Sequence, residues 1–151
     1  MGLDQYLYAK NFTSKVSDAN KYDRIIESLE AGDFSQLCQF PYASVSLAVG
    51  YWRKQNAIHH WFVINCQDGE DDCRESYVSR EQLEELREIC QKVLADNSLA
   101  DELLPTLPGF FFGSTEYDEW YFSGLTYTVS LIDNLLESIP SGWDFAYGSS
   151  W

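Results

Sequence analysis

Positive charge is what this sequence has least of. Ten lysines and arginines stand against 24 aspartates and glutamates, with 2 histidines, for a net charge of −14. Nucleic acids are held through cationic side chains on their phosphates, so a long nucleic acid is excluded as a direct partner. The deficit is also uneven, because Lys92 is the last basic residue and nine acids follow it, from Asp96 to Asp144. Such a surface either serves solubility or attracts a basic partner.

Long apolar runs are missing as well, the longest being only a few residues. The sequence therefore predicts no transmembrane helix. MGLDQYLYAK lacks the cationic start and apolar centre of a signal peptide, so a cytoplasmic location is expected. Without an export signal, Cys38, Cys66, Cys73 and Cys90 are expected as reduced thiols. No CxxC occurs, and Cys66 and Cys73 are seven apart. Cys66, Cys73, Cys90 and His59 make a conceivable zinc set, against buried cysteines that act as small apolar residues. No metal or cofactor is assigned.

Familiar chemical motifs are absent: there is no GxGxxG, GxxxxGK, HExxH or GxSxG. The run from Asp68 to Asp72 is acidic like a calcium loop. It lacks the alternating ligands, sixth-position glycine and closing glutamate of one, and reads as a solvated loop.

Apolar and aromatic residues, by contrast, make up 45% and 16% of the 151 residues, which excludes disorder and predicts one packed domain. Leu3 to Lys10 alternates as a strand, with Leu3, Gln5 and Leu7 on one side. Ala19 to Ala31 has helical spacing, with Asp18 as cap and Gly32 as stop. ASVSLAVGYW reads as a strand, and Gln55 to Cys66 as a buried helix that is apolar around most of its circumference. Ser79 and Gln82 form a capping box that opens a helix to about Ala95. GFFFGS reads as a short buried strand. The longest helix is expected from about Thr115 to Ser138, with Trp120 among its inward residues and Gly124 weakening it slightly. WDFAYGSSW closes the chain as a strand. The expected fold is a single compact α+β domain, a small mostly antiparallel sheet covered by about four helices.

The densest chemistry lies in GYWRKQNAIHHWFV. Trp52, Arg53, Lys54, Asn56, His59 and His60 are the groups that would stack a base and hold phosphates, and the cations fall at a helix start whose dipole favours an anion. Asn56, His59 and His60 are expected on one edge of the helix. The same residues also read as ordinary core and solvent-facing positions. A second constellation is acidic. Glu81, Glu84, Glu85 and Glu88, four apart in pairs on one helix, approach the spacing of phosphates along a DNA strand, and Glu116, Asp118 and Glu119 could extend that mimicry. The alternative for them is a solvated face.

MGLDQYLYAK, GYWRKQNAIHHWFV, DDC followed by YVSREQLEEL, and LLPTLPGFFFGSTEYDEWY together resemble a family of small proteins encoded by phages and prophages. The resemblance spans nearly the whole chain, with the phrases in the family's order. It implies a role in host takeover or counter-defence in the host cytoplasm and carries over no catalytic residues. Two functions are thus expected as alternatives. One is a non-enzymatic protein that sequesters a small phosphorylated ligand, such as a nucleotide signal, to blunt host defence. The other is an acidic nucleic-acid mimic that binds a basic host defence protein, such as a nuclease, CRISPR effector or restriction enzyme. A hydrolase using the histidines ranks below both, since the sequence offers no catalytic constellation.

Overall fold

The computed structural model describes residues 2–32 and 36–151. Among them the chain forms β1 (Asp4–Ser14), α1 (Ala19–Ser28), β2 (Tyr42–Arg53), α2 (Asn56–Cys66), β3 (Ser76–Val78), α3 (Arg80–Ala95), α4 (Ala100–Leu103), α5 (Glu119–Ser138) and β4 (Asp144–Ser150), with a 3-10 turn at Asn97–Leu99 before α4. The strands make one sheet in the order β2-β1-β4-β3. The class is α+β and the sheet mostly antiparallel. Lys54 N bonds Leu3 O and Lys15 N bonds Pro41 O across β1 and β2, and Ser76 faces Tyr147 while Val78 faces Phe145 across β3 and β4.

By its contacts the chain divides into two compact units, Lys10–Leu47 and the remainder. The first holds the outer parts of β1 and β2 with α1. Asp18 caps α1 by accepting from Lys21 N at 3.0 Å. The helix stops at Ser28, short of the expected Gly32, because Glu30 already adopts a left-handed φ of 53°. Tyr22 is the buried anchor of α1.

The second unit contains the core cluster. Leu3, Gln5 and Leu7 point inward from β1 as their alternation requires. The Phe62 ring of α2 stacks on Tyr147 of β4 with centroids 4.0 Å apart. The Ser79–Gln82 capping box opens α3, and Leu83, Leu86, Cys90 and Val93 are buried with Leu125, Ile132 and Leu135 of α5. The two helices run antiparallel. Arg87 Nη1 meets Asp133 Oδ1 at 3.0 Å, and Arg80 Nη2 donates to the carbonyls of Ile139 and Pro140, just beyond the end of α5.

Three expectations about local structure are corrected. GFFFGS is a turn. Gly113 has φ +91°, a Cβ on Gly109 would stand 2.7 Å from the Phe112 ring, and Phe112 N bonds Gly109 O at 3.1 Å. Only Phe112 is buried, and Phe110 is 95% exposed. A run of three identical residues has no period, so it could not report which of them faces inward. Next, α5 begins at Glu119, because Asp118 is extended and its carboxylate accepts from Tyr121 N at 3.0 Å. Finally, Trp120 lies in the first turn of α5 and is 57% exposed rather than facing in.

Candidate functional site

The GYWRKQNAIHHWFV stretch is the junction of β2 and α2. Lys54 makes the corner with a φ of 54°, an unusual conformation for a residue with a Cβ. Its stem passes between two glycines, where a Cβ on Gly2 would be 3.0 Å from Lys54 Cε and one on Gly113 3.1 Å from Lys54 Cβ. Gln55 is held from both sides by the buried Gln5, whose Oε1 accepts from Gln55 N at 3.1 Å and whose Nε2 donates to Gln55 O at 3.2 Å. The Gln55 side chain does not cap α2. It crosses to α5 and donates from Nε2 to Trp120 O at 3.2 Å.

Asn56 and His59 are inward and committed. Asn56 Nδ2 donates to Phe112 O and Ser114 O at 3.1 and 2.8 Å, and Oδ1 accepts from Leu107 N at 3.0 Å. One buried amide thus pins both ends of the 107–114 loop. His59 is fully buried. Its Nε2 lies 2.9 Å from Asp71 Oδ2 and its Nδ1 2.8 Å from Tyr147 OH. A carboxylate only accepts, so Nε2 carries the proton and Nδ1 receives one from Tyr147. Trp151 Nε1 closes the chain of bonds on Asp71 Oδ1 at 3.1 Å. Burial lowers the His59 pKa below 6.5 against the pull of Asp71, and burial raises Tyr147 well above 10. Both imidazole nitrogens are spent inside the protein, so the ring has none to offer a substrate.

The six residues expected as one ligand site therefore do not share one hollow. His60 lines a recess of about 180 Å³ with Trp61, Ile64, Asn65, Leu103 and Pro105. Lys54 and Asn56 line another with Thr106, Ser114 and Asp118, whose volume of about 10 Å³ has room for about one water. Only Trp52 and Arg53 share a sizeable groove. The expected edge of Asn56, His59 and His60 is divided because α2 is enclosed almost all round, so helical neighbours meet different surroundings.

That groove, about 390 Å³, lies between the end of β2 and the first half of α5, and is lined by Tyr51, Trp52, Arg53, Gln55, Trp120, Ser123, Gly124 and Tyr127. Trp52 is its buried back wall, fixed by Nε1 donating to Thr128 Oγ1 at 2.9 Å. Trp120 and Tyr127 are seven residues apart, so they rise from one side of α5 about two turns, or ~10 Å, from each other. Between them Ser123 and Gly124 leave a low floor. At the rim, Arg53 Nη1 donates to Asp4 Oδ1 at 3.0 Å and Tyr51 OH bonds the same oxygen. This holds the guanidinium in place with other N–H groups to spare. Three exposed rings, an oriented cation and a narrow floor suit a flat ligand with an anionic end.

The acidic candidates sit elsewhere. Glu81, Glu84, Glu85 and Glu88 are all exposed on α3, and Glu116, Asp118 and Glu119 are exposed at the start of α5. Since α3 and α5 are antiparallel, the two groups lie at opposite ends of the pair rather than on one continuous face. Asp118 is also engaged as the α5 cap.

Among the described residues no group of three or more His, Cys, Asp or Glu could hold a metal ion, and none of the helices is long and apolar enough to cross a membrane. Burial raises the Cys66 and Cys90 thiols to about 12 each, the behaviour of small apolar residues rather than of thiolate ligands.

Sequence reasoning missed Tyr51, Gln55, Trp120 and Tyr127. The seven-residue spacing of two rings around Ser123-Gly124 was available as a signal, but core rings in helices share that spacing. Compared with known proteins, the chain matches no family model, and no curated protein or solved structure is significantly similar to it.

Proposed function

We propose that the chain is a non-enzymatic binding protein that sequesters a nucleotide-type small molecule in the β2–α5 groove, and so interferes with a host antiviral defence. The observation that carries the binding half is the pair Trp120 and Tyr127, 57% and 45% exposed, which line one groove with Gly124 between them in sequence and Arg53 at the rim. Exposed rings around a concave floor are positioned to stack a base, and the guanidinium is positioned to meet phosphate. The host-defence half rests on the resemblance to phage-encoded proteins. Trp52 and Arg53 keep their expected place in this site. Lys54, Asn56, His59 and His60 give way to Tyr51, Gln55, Trp120 and Tyr127.

Calorimetric titration with linear and cyclic nucleotides tests the reading. Binding is expected in the native protein, lost in Trp120→Ala and unchanged in His60→Ala. Absence of heat with every nucleotide, or a loss confined to His60→Ala, overturns it.

A second reading, the acidic decoy, is favoured by the exposure of Glu81, Glu84, Glu85 and Glu88 along α3. Its contact surface would be α3 alone. Binding to a cationic nuclease, CRISPR effector or restriction enzyme would then weaken steeply with salt and vanish on reversal of Glu84 and Glu88. Salt-insensitive binding, or binding that survives the reversals, rules it out.

A further inference from the structure

Gln55 is 7% exposed, and nearly all its polar atoms are taken. Its N–H goes to Gln5 Oε1 and its carbonyl accepts from Gln5 Nε2 and from His59 N. Its Nε2 goes to Trp120 O. Of these atoms, only Oε1 finds no hydrogen-bond partner among the described residues. The amide cannot turn over, because that would set Oε1 against the Trp120 carbonyl oxygen. An acceptor is therefore fixed in place. Its location follows from Gly124, where an added Cβ would lie 2.1 Å from Gln55 Oε1. Gly124, four residues on from Trp120 and three before Tyr127, lines the groove together with Gln55, which puts the oxygen at that part of its floor.

We infer that Gln55 Oε1 makes the groove selective for bases carrying an amino group, the class of adenine, cytosine and guanine. This rests on the nucleotide-binding reading above. A base stacked on the Trp120 or Tyr127 ring presents its edge to the floor, and an in-plane amino N–H meets Oε1 there. A base that offers only acceptors at that edge would cover this carbonyl oxygen and leave it without a partner, and acceptors buried unpaired are costly. Specificity built on one such hydrogen bond rejects the analogue that lacks it. Gln55 is thus the specificity-determining residue, and Gln5 holds its backbone in register.

Matched pairs that differ only in the amino group test this on the intact protein. Adenosine 5′-monophosphate is titrated beside purine riboside 5′-monophosphate, and cytidine 5′-monophosphate beside its 2-pyrimidinone counterpart, by calorimetry and tryptophan fluorescence. At least one amino-bearing member is expected to bind tenfold or more tightly than its partner. Gln55→Met, which keeps the side chain's length, should bring the two members to within about twofold. Equal affinity within both pairs in the native protein overturns this inference and leaves the binding reading standing. Failure of all four to bind, with the protein's tryptophan fluorescence unmoved, overturns the binding reading itself. Should Gln55→Met not fold, the ligand pairs alone decide.

Discussion

The Gln55 side chain fills the space that a Cβ on Gly124 would take: a Cβ there would lie 2.1 Å from Gln55 Oε1 and 2.2 Å from Cδ. The glycine that weakens a helix on propensity alone is what lets the β2–α2 junction lie against α5. Gly124→Ala should therefore lower the unfolding free energy by about 1–3 kcal/mol through overpacking, despite the roughly 1 kcal/mol alanine gains in helix propensity. In a Gln55→Ala background the same change should be neutral or stabilising. Urea unfolding of the four proteins in the cycle checks the sign.

The two tryptophans of the groove should respond in opposite ways. Trp52 is 2% exposed and hydrogen-bonded to Thr128, so Trp52→Ala should cost about 3–5 kcal/mol. Trp120 is mostly exposed, and Trp120→Ala should cost no more than about 1 kcal/mol while removing ligand binding. Denaturant midpoints read beside nucleotide titrations separate the two.

Asn56 should behave as a structural clasp. Asn56→Ala removes three hydrogen bonds that hold the 107–114 loop and should cost about 2–4 kcal/mol, with the stranded groups counted. Asn56→Asp should be no better, since a carboxylate would replace the Nδ2 that now faces two carbonyl oxygens. Limited proteolysis within residues 107–114 should accelerate in both.

Acid should weaken the His59 network. His59 is buried with a folded pKa below its ordinary 6.5, so the unfolded chain takes up its proton first. The stability from keeping the ring neutral is complete above about pH 6.5 and is lost as pH falls from there through the lower folded value. His59→Gln should lower stability at pH 7.5 and flatten the slope between pH 7 and 5, as measured by urea unfolding across that range. An unchanged slope contradicts the assignment.

Much of the fold was legible because local chemistry fixed it. Asp18 and the Ser79–Gln82 box act on backbone N–H groups only three residues away, and the β1 alternation and the α3 stripe are set by the period of the backbone itself. The β3 strand and the short α4 escaped notice because three or four residues are too few to show a period. The GFFFGS turn escaped because glycine conformation, not hydrophobicity, decides it.

The sequence by itself determined the secondary structure of the long elements, the acidic exterior and the concentration of rings and cations around β2 and α2. Tertiary structure decided what those groups face. The partners Thr128, Trp120, Phe112 and Tyr147 lie 76, 65, 56 and 88 residues from Trp52, Gln55, Asn56 and His59. Hydrogen-bond satisfaction across such separations depends on the packed chain, and no spacing along the sequence encodes it.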